Sequence, residues 1–173
     1  IGIAAKARSG KDTVASYLWE RHAFTRIAFA DPVKMAAQAM FGLSAEATWS
    51  DDMKETVIPY WGMSPRQLFQ LVGTECVKPF FGNDIWIKRF MLTYGVVAET
   101  DDVVIPDVRF ELEAEFIRAK GGRIIHLIRG DAKPVNAHVS EAGVAFVEGD
   151  IVLYNNGTLE ELYSMVDTLI EAL

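Results

Sequence analysis

Ala5-Lys6-Ala7-Arg8-Ser9-Gly10-Lys11-Asp12-Thr13 is the stretch whose reading decides the fold. A short apolar run, Ile1-Gly2-Ile3-Ala4, precedes it, and a helical pattern with Val14, Tyr17 and Leu18 on one face follows. The stretch therefore reads as a loop between a buried strand and a helix. Such a loop aims several backbone N–H groups and a helix N-terminus at one spot, which attracts phosphate. Gly10 lets backbone come close, and Lys11 supplies a point charge for the outer phosphates. Arg8, Ser9, Gly10, Lys11, Asp12 and Thr13 are thus candidate phosphate ligands of a nucleoside-triphosphate loop. Two positions depart from G-x-x-x-x-G-K-[ST]: Ala5 replaces the first glycine, and Asp12 the hydroxyl residue. Ala5 requires a negative φ or mild strain. Thr13 does not simply stand in for the hydroxyl, because one residue on a helix is a rotation of about 100°. Asp12 either binds a hard cation directly or through water, or caps the helix.

The chain has 173 residues, half of them apolar, which suits one compact domain with a real core. Its net charge is −7, with no basic tail or stripe, so a polymeric nucleic acid is not the expected partner. A nucleotide is not excluded, because local charge decides that. A single cysteine, Cys76, rules out an internal disulfide and fits a reducing cytoplasm. Its helical, apolar context reads as a small core residue rather than a nucleophile. No apolar run reaches membrane-spanning length, and no signal peptide is read. The chain opens directly in strand one, so a few residues are expected to precede it.

Outward from the loop, the first helix runs to about His22, and Thr25-Arg26-Ile27-Ala28-Phe29-Ala30 reads as a second buried strand. Asp31-Pro32 starts a helix through about Phe41, with Lys34 in its first turn. Residues 43–62 carry no clear period and read as a mobile or inserted segment. Ser64-Pro65 is a helix start, with Arg66, Gln70 and Thr74 sharing one side. Another helix begins near Asn83-Asp84, in which Trp86 and Phe90 are most simply core. Val103-Val104-Ile105 is a short strand ended by Pro106-Asp107-Val108-Arg109, because proline fits a strand's end and not its middle. Glu111 to Ala119 is a helix stopped by Gly121-Gly122. Arg123 to Arg129 is the next strand, and a polar loop over about 130–149 follows. Ile151 to Tyr154 is the last strand, Asn155-Asn156-Gly157 a turn, and Thr158-Leu159-Glu160-Glu161 a capping box. Short apolar strands alternating with helices predict an α/β fold: a five-stranded parallel sheet with helices on both faces. Such sheets bind ligands at the carboxyl ends of their strands, where Lys11, Asp107, Arg109, Arg129 and Asn155 fall.

A phosphate loop alone serves a kinase, a hydrolase or a switch. The domain is small and lacks a base-reading Asn/Thr-Lys-x-Asp. Cations are scattered over strand ends and helix starts (Lys34, Arg66, Arg109, Arg118, Arg129), as phosphoryl transfer needs. The loop before the last strand is long enough to close over phosphates and exclude water. These features favour a kinase with a small phosphorylated acceptor. Bland readings stand beside them. Lys34 is also a plausible solvated first-turn lysine, and Arg66 a surface residue. Asp107 and Arg109 also fit a structural ion pair. Arg118 reads better as a dipole complement. His126 reads as a core or inter-element residue, and His138 as solvated.

Gly10-Lys11-Asp12-Thr13, Phe29-Ala30-Asp31-Pro32-Val33-Lys34, Arg66 through Glu75 and Pro106-Asp107-Val108-Arg109 occur here in an order that resembles the phage-type deoxynucleoside monophosphate kinases. Arg118 to Gly122, Ile125 to Arg129, His138 to Gly143, Gly149 to Val152 and Asn155 to Leu162 resemble them too, so the likeness covers nearly everything outside 43–62. The resemblance implies a P-loop kinase fold and transfer of the ATP γ-phosphate, with Mg²⁺, to a deoxynucleoside 5′-monophosphate. It places Gly10, Lys11, Asp12 and Thr13 at the ATP phosphates and metal, and Lys34, Arg66, Gln70 and Thr74 on the monophosphate side. Asp107 and Arg109 would stand between the nucleotides, with Arg129 and Asn155 near the ATP base or lid. It implies the host cytoplasm if the chain is phage-encoded.

Lys11, Arg109 and Arg129 are the expected catalytic cations, and Phe69, Gln70 and Trp86 could form a nucleobase slot. The rivals are a P-loop kinase for phosphomevalonate or dephospho-coenzyme A, and a non-catalytic nucleotide-binding module in which Ala5 and Asp12 mark decay. The oligomeric state stays open: a patch around Trp49, Tyr60 and Trp61 is either a homodimer interface or a lid over the acceptor.

Overall fold

The computed structural model describes residues 1–130 and 143–173. Lys133, Pro134, His138, Ser140 and Glu141, in the predicted lid loop, lie outside the described residues. The described chain divides into two compact units, residues 1–28 with 90–173, and residues 29–89.

The first unit is built on a sheet of five parallel strands: β1 (Gly2–Ala5), β2 (Thr25–Arg26), β3 (Val103–Val108), β4 (Ile124–Ile128) and β5 (Ile151–Tyr154). Their order is β2-β3-β1-β4-β5. Chain order reverses direction around β1, which puts the topological switch at its carboxyl end. Successive residues of β1 face opposite sides. Ile3 points into a core shared with Val14 and Leu18 of α1 (Lys11–His22) and with Leu162 and Val166 of α8 (Leu159–Glu171). Gly2 faces the other way, where an added Cβ would meet Ile117 Cδ1 of α7 (Glu111–Ala119) at 2.7 Å. Helices therefore cover both faces, and the apolar strands have no solvent side, as parallel sheets require. Thr158 and Glu161 close the predicted capping box at the start of α8.

Two strands differ from expectation. β2 ends at Arg26 rather than Ala30, because Ala30 already caps a helix: its carbonyl accepts Lys34 N–H at 2.9 Å. Pairing with β3 reaches Ile27, whose N–H donates to Val104 O at 3.0 Å, and the apolar run beyond it reflects burial. β3 continues through Pro106 to Val108. The ladder explains this. Ile105 N–H donates to Ile1 O on the β1 side (2.8 Å), so position 106 turns its nitrogen toward β2, which has already ended. The pairing with β1 also shifts register between Gly2 and Ala4.

The second unit is helical. α2 (Asp31–Phe41), α3 (Ala45–Trp49), α4 (Pro65–Gln70) and α5 (Lys78–Phe81) surround a core of Val33, Ala37, Leu43, Leu68 and Val72, against which Phe69 and Trp86 pack. α6 (Ile85–Thr100) starts here and carries the chain into the first unit. Residues 43–62, read as aperiodic, contain α3, capped by Ser44, and Ile58, which bridges to Met63 just beyond them. The helix predicted from Ser64 is not uniform: Leu71–Cys76 widens into a π-turn. Cys76, expected in the core, is exposed, since Val72 and Gly73 take the inward positions of that turn.

Candidate active site

In the first unit, β1 delivers the loop. Arg8 (φ 65°) and Gly10 (φ 96°) adopt left-handed backbone, which folds successive N–H groups toward a common concavity. Ala5 ends β1 and is not among the non-glycine residues with positive φ, so the missing glycine is accommodated without that strain. Ser9, 1% exposed, donates its N–H to Lys6 O at 3.2 Å and holds the loop closed. Gly10 is the N-cap of α1, with no side-chain cap, so the dipole and first-turn N–H groups meet the same concavity.

Lys11 and Asp12 open the helix and pair with each other. Asp12 Oδ1 also accepts from Arg26 Nη2 at 2.7 Å. Arg26 was invisible as a site residue in the sequence. Its only signal is a charged side chain within an apolar run read as a buried strand. Two cations thus share one carboxylate, which leaves a local positive excess beside the loop.

The carboxyl ends of adjacent strands bring the other predicted residues of this unit to the same sheet edge. Ala4 pairs with Val108, Ala5 with Leu127 and Ile128 with Tyr154. Asp107 therefore lies at the end of β3, Arg109 follows it, Arg129 follows β4 and Asn155 follows β5. Arg109 is fixed from behind: its N–H and that of Phe110 donate to Glu113 Oε2 at 2.9 and 3.1 Å. Glu113 is buried, and its position three residues past Phe110 is the cap spacing that could have revealed it. Asn155 donates Nδ2 to Ser9 O at 2.9 Å.

Arg118 does not behave as a dipole complement alone. It grips Asp150 with two bonds (3.1 and 2.6 Å) and Glu111 with a third (2.9 Å), and donates to Ala145 O. His126 Nε2 lies 2.9 Å from the same Asp150 Oδ2, and Val147 N–H donates to it at 3.0 Å. Burial works to raise the Asp150 carboxyl, but Arg118, His126 and Val147 outweigh it and hold it at about 2. Glu111 is also held below the ordinary range, first by Ala145 N–H, against burial, and then by Arg118. This cluster fastens the backbone leading into β5, and with it Asn155.

In the second unit, Lys34 lies 5.1 Å from the centroid of the Trp49 ring, a cation–π contact rather than full solvation. Arg66 is buried in the first turn of α4, its Nε bonded to Glu55 of the aperiodic segment and its N–H to Lys54 O at 3.0 Å. Gln70 ends α4, and Thr74 sits in the π-turn that follows, a distortion frequent at functional sites. The turn is locked at Gly73, whose carbonyl accepts Trp86 Nε1–H at 2.7 Å and whose Cα leaves no room for a Cβ against Val33. Trp49 and Tyr60 are well exposed, and Trp61 donates to Phe41 O at 3.0 Å.

A family model described as deoxynucleotide monophosphate kinase matches residues 40–166. A protein of Acanthamoeba polyphaga mimivirus, provisionally named a deoxynucleotide monophosphate kinase, is 36% identical over 184 residues, covering 99% of this chain and 95% of that protein. The deoxynucleotide monophosphate kinases of Escherichia phage RB69 and Enterobacteria phage T4 are 38% and 35% identical over 62% and 64% of this chain. The matched segments are 45% and 46% of those two phage proteins. No helix among the described residues is long and apolar enough to cross a membrane. With a glycine–lysine loop at the switch point of a five-stranded parallel sheet, the matching family model and these relatives, the chain belongs to the deoxynucleotide monophosphate kinase family.

Proposed function

We propose that this chain transfers the γ-phosphate of ATP to a deoxynucleoside 5′-monophosphate, giving the diphosphate and ADP. Family membership supplies the reaction class. The single observation that carries the reading in this molecule is the loop from Ala5 to Lys11. Its left-handed Arg8 and Gly10 and the open N-terminus of α1 make an anion cradle with a lysine at its rim.

In this reading the loop N–H groups, with Arg8 and Ser9, hold the β- and γ-phosphates, and Lys11 leaves Asp12 to follow the transferred group. Arg109 and Arg129 neutralise charge that builds on the transferring oxygens, and Asp107 orients the two substrates from the end of β3. Lys34 and Arg66 hold the acceptor phosphate, while Gln70 and Thr74 address the rest of the acceptor. The acceptor phosphate is already anionic, so positioning and charge neutralisation carry most of the rate.

Mg²⁺ is held in such sites by one or two carboxylates and the substrate phosphates. Asp12 fits that donor set: a hard-oxygen carboxylate in the first turn of α1, next to the phosphate cradle. Asp12 would take the ion directly or through water, with Thr13 as the second candidate, and the ion would supply charge stabilisation to the phosphates. The host cytoplasm, where ATP and deoxynucleotides are available, is the proposed compartment.

Lys11→Ala tests the assignment. The variant should keep the wild-type circular dichroism spectrum and lose phosphoryl transfer by about a thousandfold, the scale of one strong electrostatic group in a transition state. Wild-type turnover by that variant would refute the phosphate-loop reading.

A further inference from the structure

The turn after β5 is built from two asparagines with opposite tasks. Asn155 is 9% exposed. Its backbone N–H continues the sheet by donating to Ile128 O at 2.8 Å, so its position is tied to β4. Its side-chain Nδ2 donates to Ser9 O at 2.9 Å. A carbonyl can only accept, so this contact requires a donor at position 155. The amide is packed so closely on the phosphate loop that a Cβ on Gly10 would lie 2.5 Å from Nδ2. Asn156 does the reverse. Its Oδ1 accepts Gly130 N–H at 2.8 Å, directly after Arg129. A backbone N–H can only donate, so this contact requires an acceptor. Only Gly157 separates the pair from Thr158, whose capping box fixes the start of α8.

We propose that Asn155 and Asn156 form a two-sided brace. Asn155 sets the shape of the phosphate loop through Ser9, and Asn156 sets the backbone that presents Arg129. Both are positioning residues, and Asn155 acts on bound phosphate through the loop rather than by touching the nucleoside. The reason is geometric. Ser9 is enclosed, and its carbonyl would lose its amide partner in a buried setting without Asn155, which favours a change in loop backbone. The left-handed conformations of Arg8 and Gly10, on either side of Ser9, are the part of the loop that such a change would reach first.

The inference rests on the phosphate-loop reading, and the test separates the two. Calorimetry measures binding of ATP and of inorganic tripolyphosphate to the intact wild-type chain, Asn155→Asp, Asn155→Ala and Asn156→Asp, each first checked by thermal melting. Aspartate matches asparagine in shape but keeps only the acceptor. Asn155→Asp should therefore weaken both ligands about tenfold, the effect of one buried hydrogen bond with its partner left unsatisfied. Asn156→Asp keeps its acceptor and adds the same charge, so it controls for charge and should lose less affinity for both ligands than Asn155→Asp. Asn155→Ala, which removes the donor without adding a charge, should follow Asn155→Asp, so the result does not depend on one variant's folding. Three outcomes overturn the brace: Asn155→Asp and Asn155→Ala binding both ligands normally; equal loss in Asn155→Asp and Asn156→Asp; or loss of ATP with tripolyphosphate retained, which would make Asn155 a nucleoside contact. Wild-type chain that binds neither ligand overturns the phosphate-loop reading, and the brace with it.

Discussion

Replacing Asp150 by asparagine removes one negative charge from a buried carboxylate of the first unit. Its side chain is 2% exposed and accepts Arg118, His126 and Val147 together. The carboxyl drops from its ordinary 3.8 to about 2. At about 1.4 kcal/mol per unit, that drop corresponds to about 2 to 3 kcal/mol of folding stability. The sign follows from the direction. A carboxylate with a depressed folded value contributes its full stability above 3.8 and loses it as pH falls toward 2. Asp150→Asn also strips Arg118 of its best partner, although Glu111 still engages that guanidinium and it keeps some access to water. The expected loss at pH 7 is about 2 to 4 kcal/mol, which straddles the low end of the roughly 3 to 5 kcal/mol for breaking a buried pair because Glu111 remains. That corresponds to a fall in Tm of roughly 5 to 12 °C for a chain of this size. Urea denaturation at a series of pH values from 7 to 2 measures it. The gap between wild type and variant should stay constant down to about pH 4 and close toward about pH 2. A gap below about 1 kcal/mol at pH 7, or one that does not narrow in acid, would refute the reasoning.

Gly2→Ala should lower stability by about 1 to 3 kcal/mol, read as a shift in the urea midpoint, because the new methyl meets Ile117, Ile124 and Val108 at 2.7 to 2.9 Å in a filled layer. Arg66→Ala should raise the KM for the acceptor by at least about tenfold and leave that for ATP nearly unchanged; equal effects would move Arg66 out of the acceptor site. Glu113→Ala should lower kcat more than either KM, since it releases the backbone of Arg109 and Phe110 without touching a substrate; steady-state kinetics that show unchanged kcat would count against it.

Local signals carried much of the fold. α7 spans Glu111–Ala119 and β5 spans Ile151–Tyr154, as the sequence reading has them, because glycines and turn residues mark their ends. The capping residues of α4 and α8 were readable for the same reason. What escaped depended on partners distant in sequence. The shortness of β2 follows from the helix that starts at Asp31, and the passage of β3 through Pro106 from where β2 stops. The exposure of Cys76 follows from a π-turn that no apolar period announces. At the candidate site, the strand-end residues were legible because a parallel sheet fixes where they fall. Their supports were not. Arg26 is 14 positions from Asp12, Asp150 is 32 from Arg118, and Asn155 is 146 from Ser9. A side chain that positions another leaves no mark in the local pattern of either.

The most direct test of the central claim is ADP production by the wild-type chain with ATP and Mg²⁺. The panel is the four deoxynucleoside monophosphates, the matching ribonucleotides, phosphomevalonate and dephospho-coenzyme A. The account predicts turnover with one or more deoxynucleoside monophosphates and, in the same assay, turnover about a thousandfold lower with Lys11→Ala. Turnover confined to a non-nucleotide acceptor, or ATP binding without turnover on any acceptor, would contradict it.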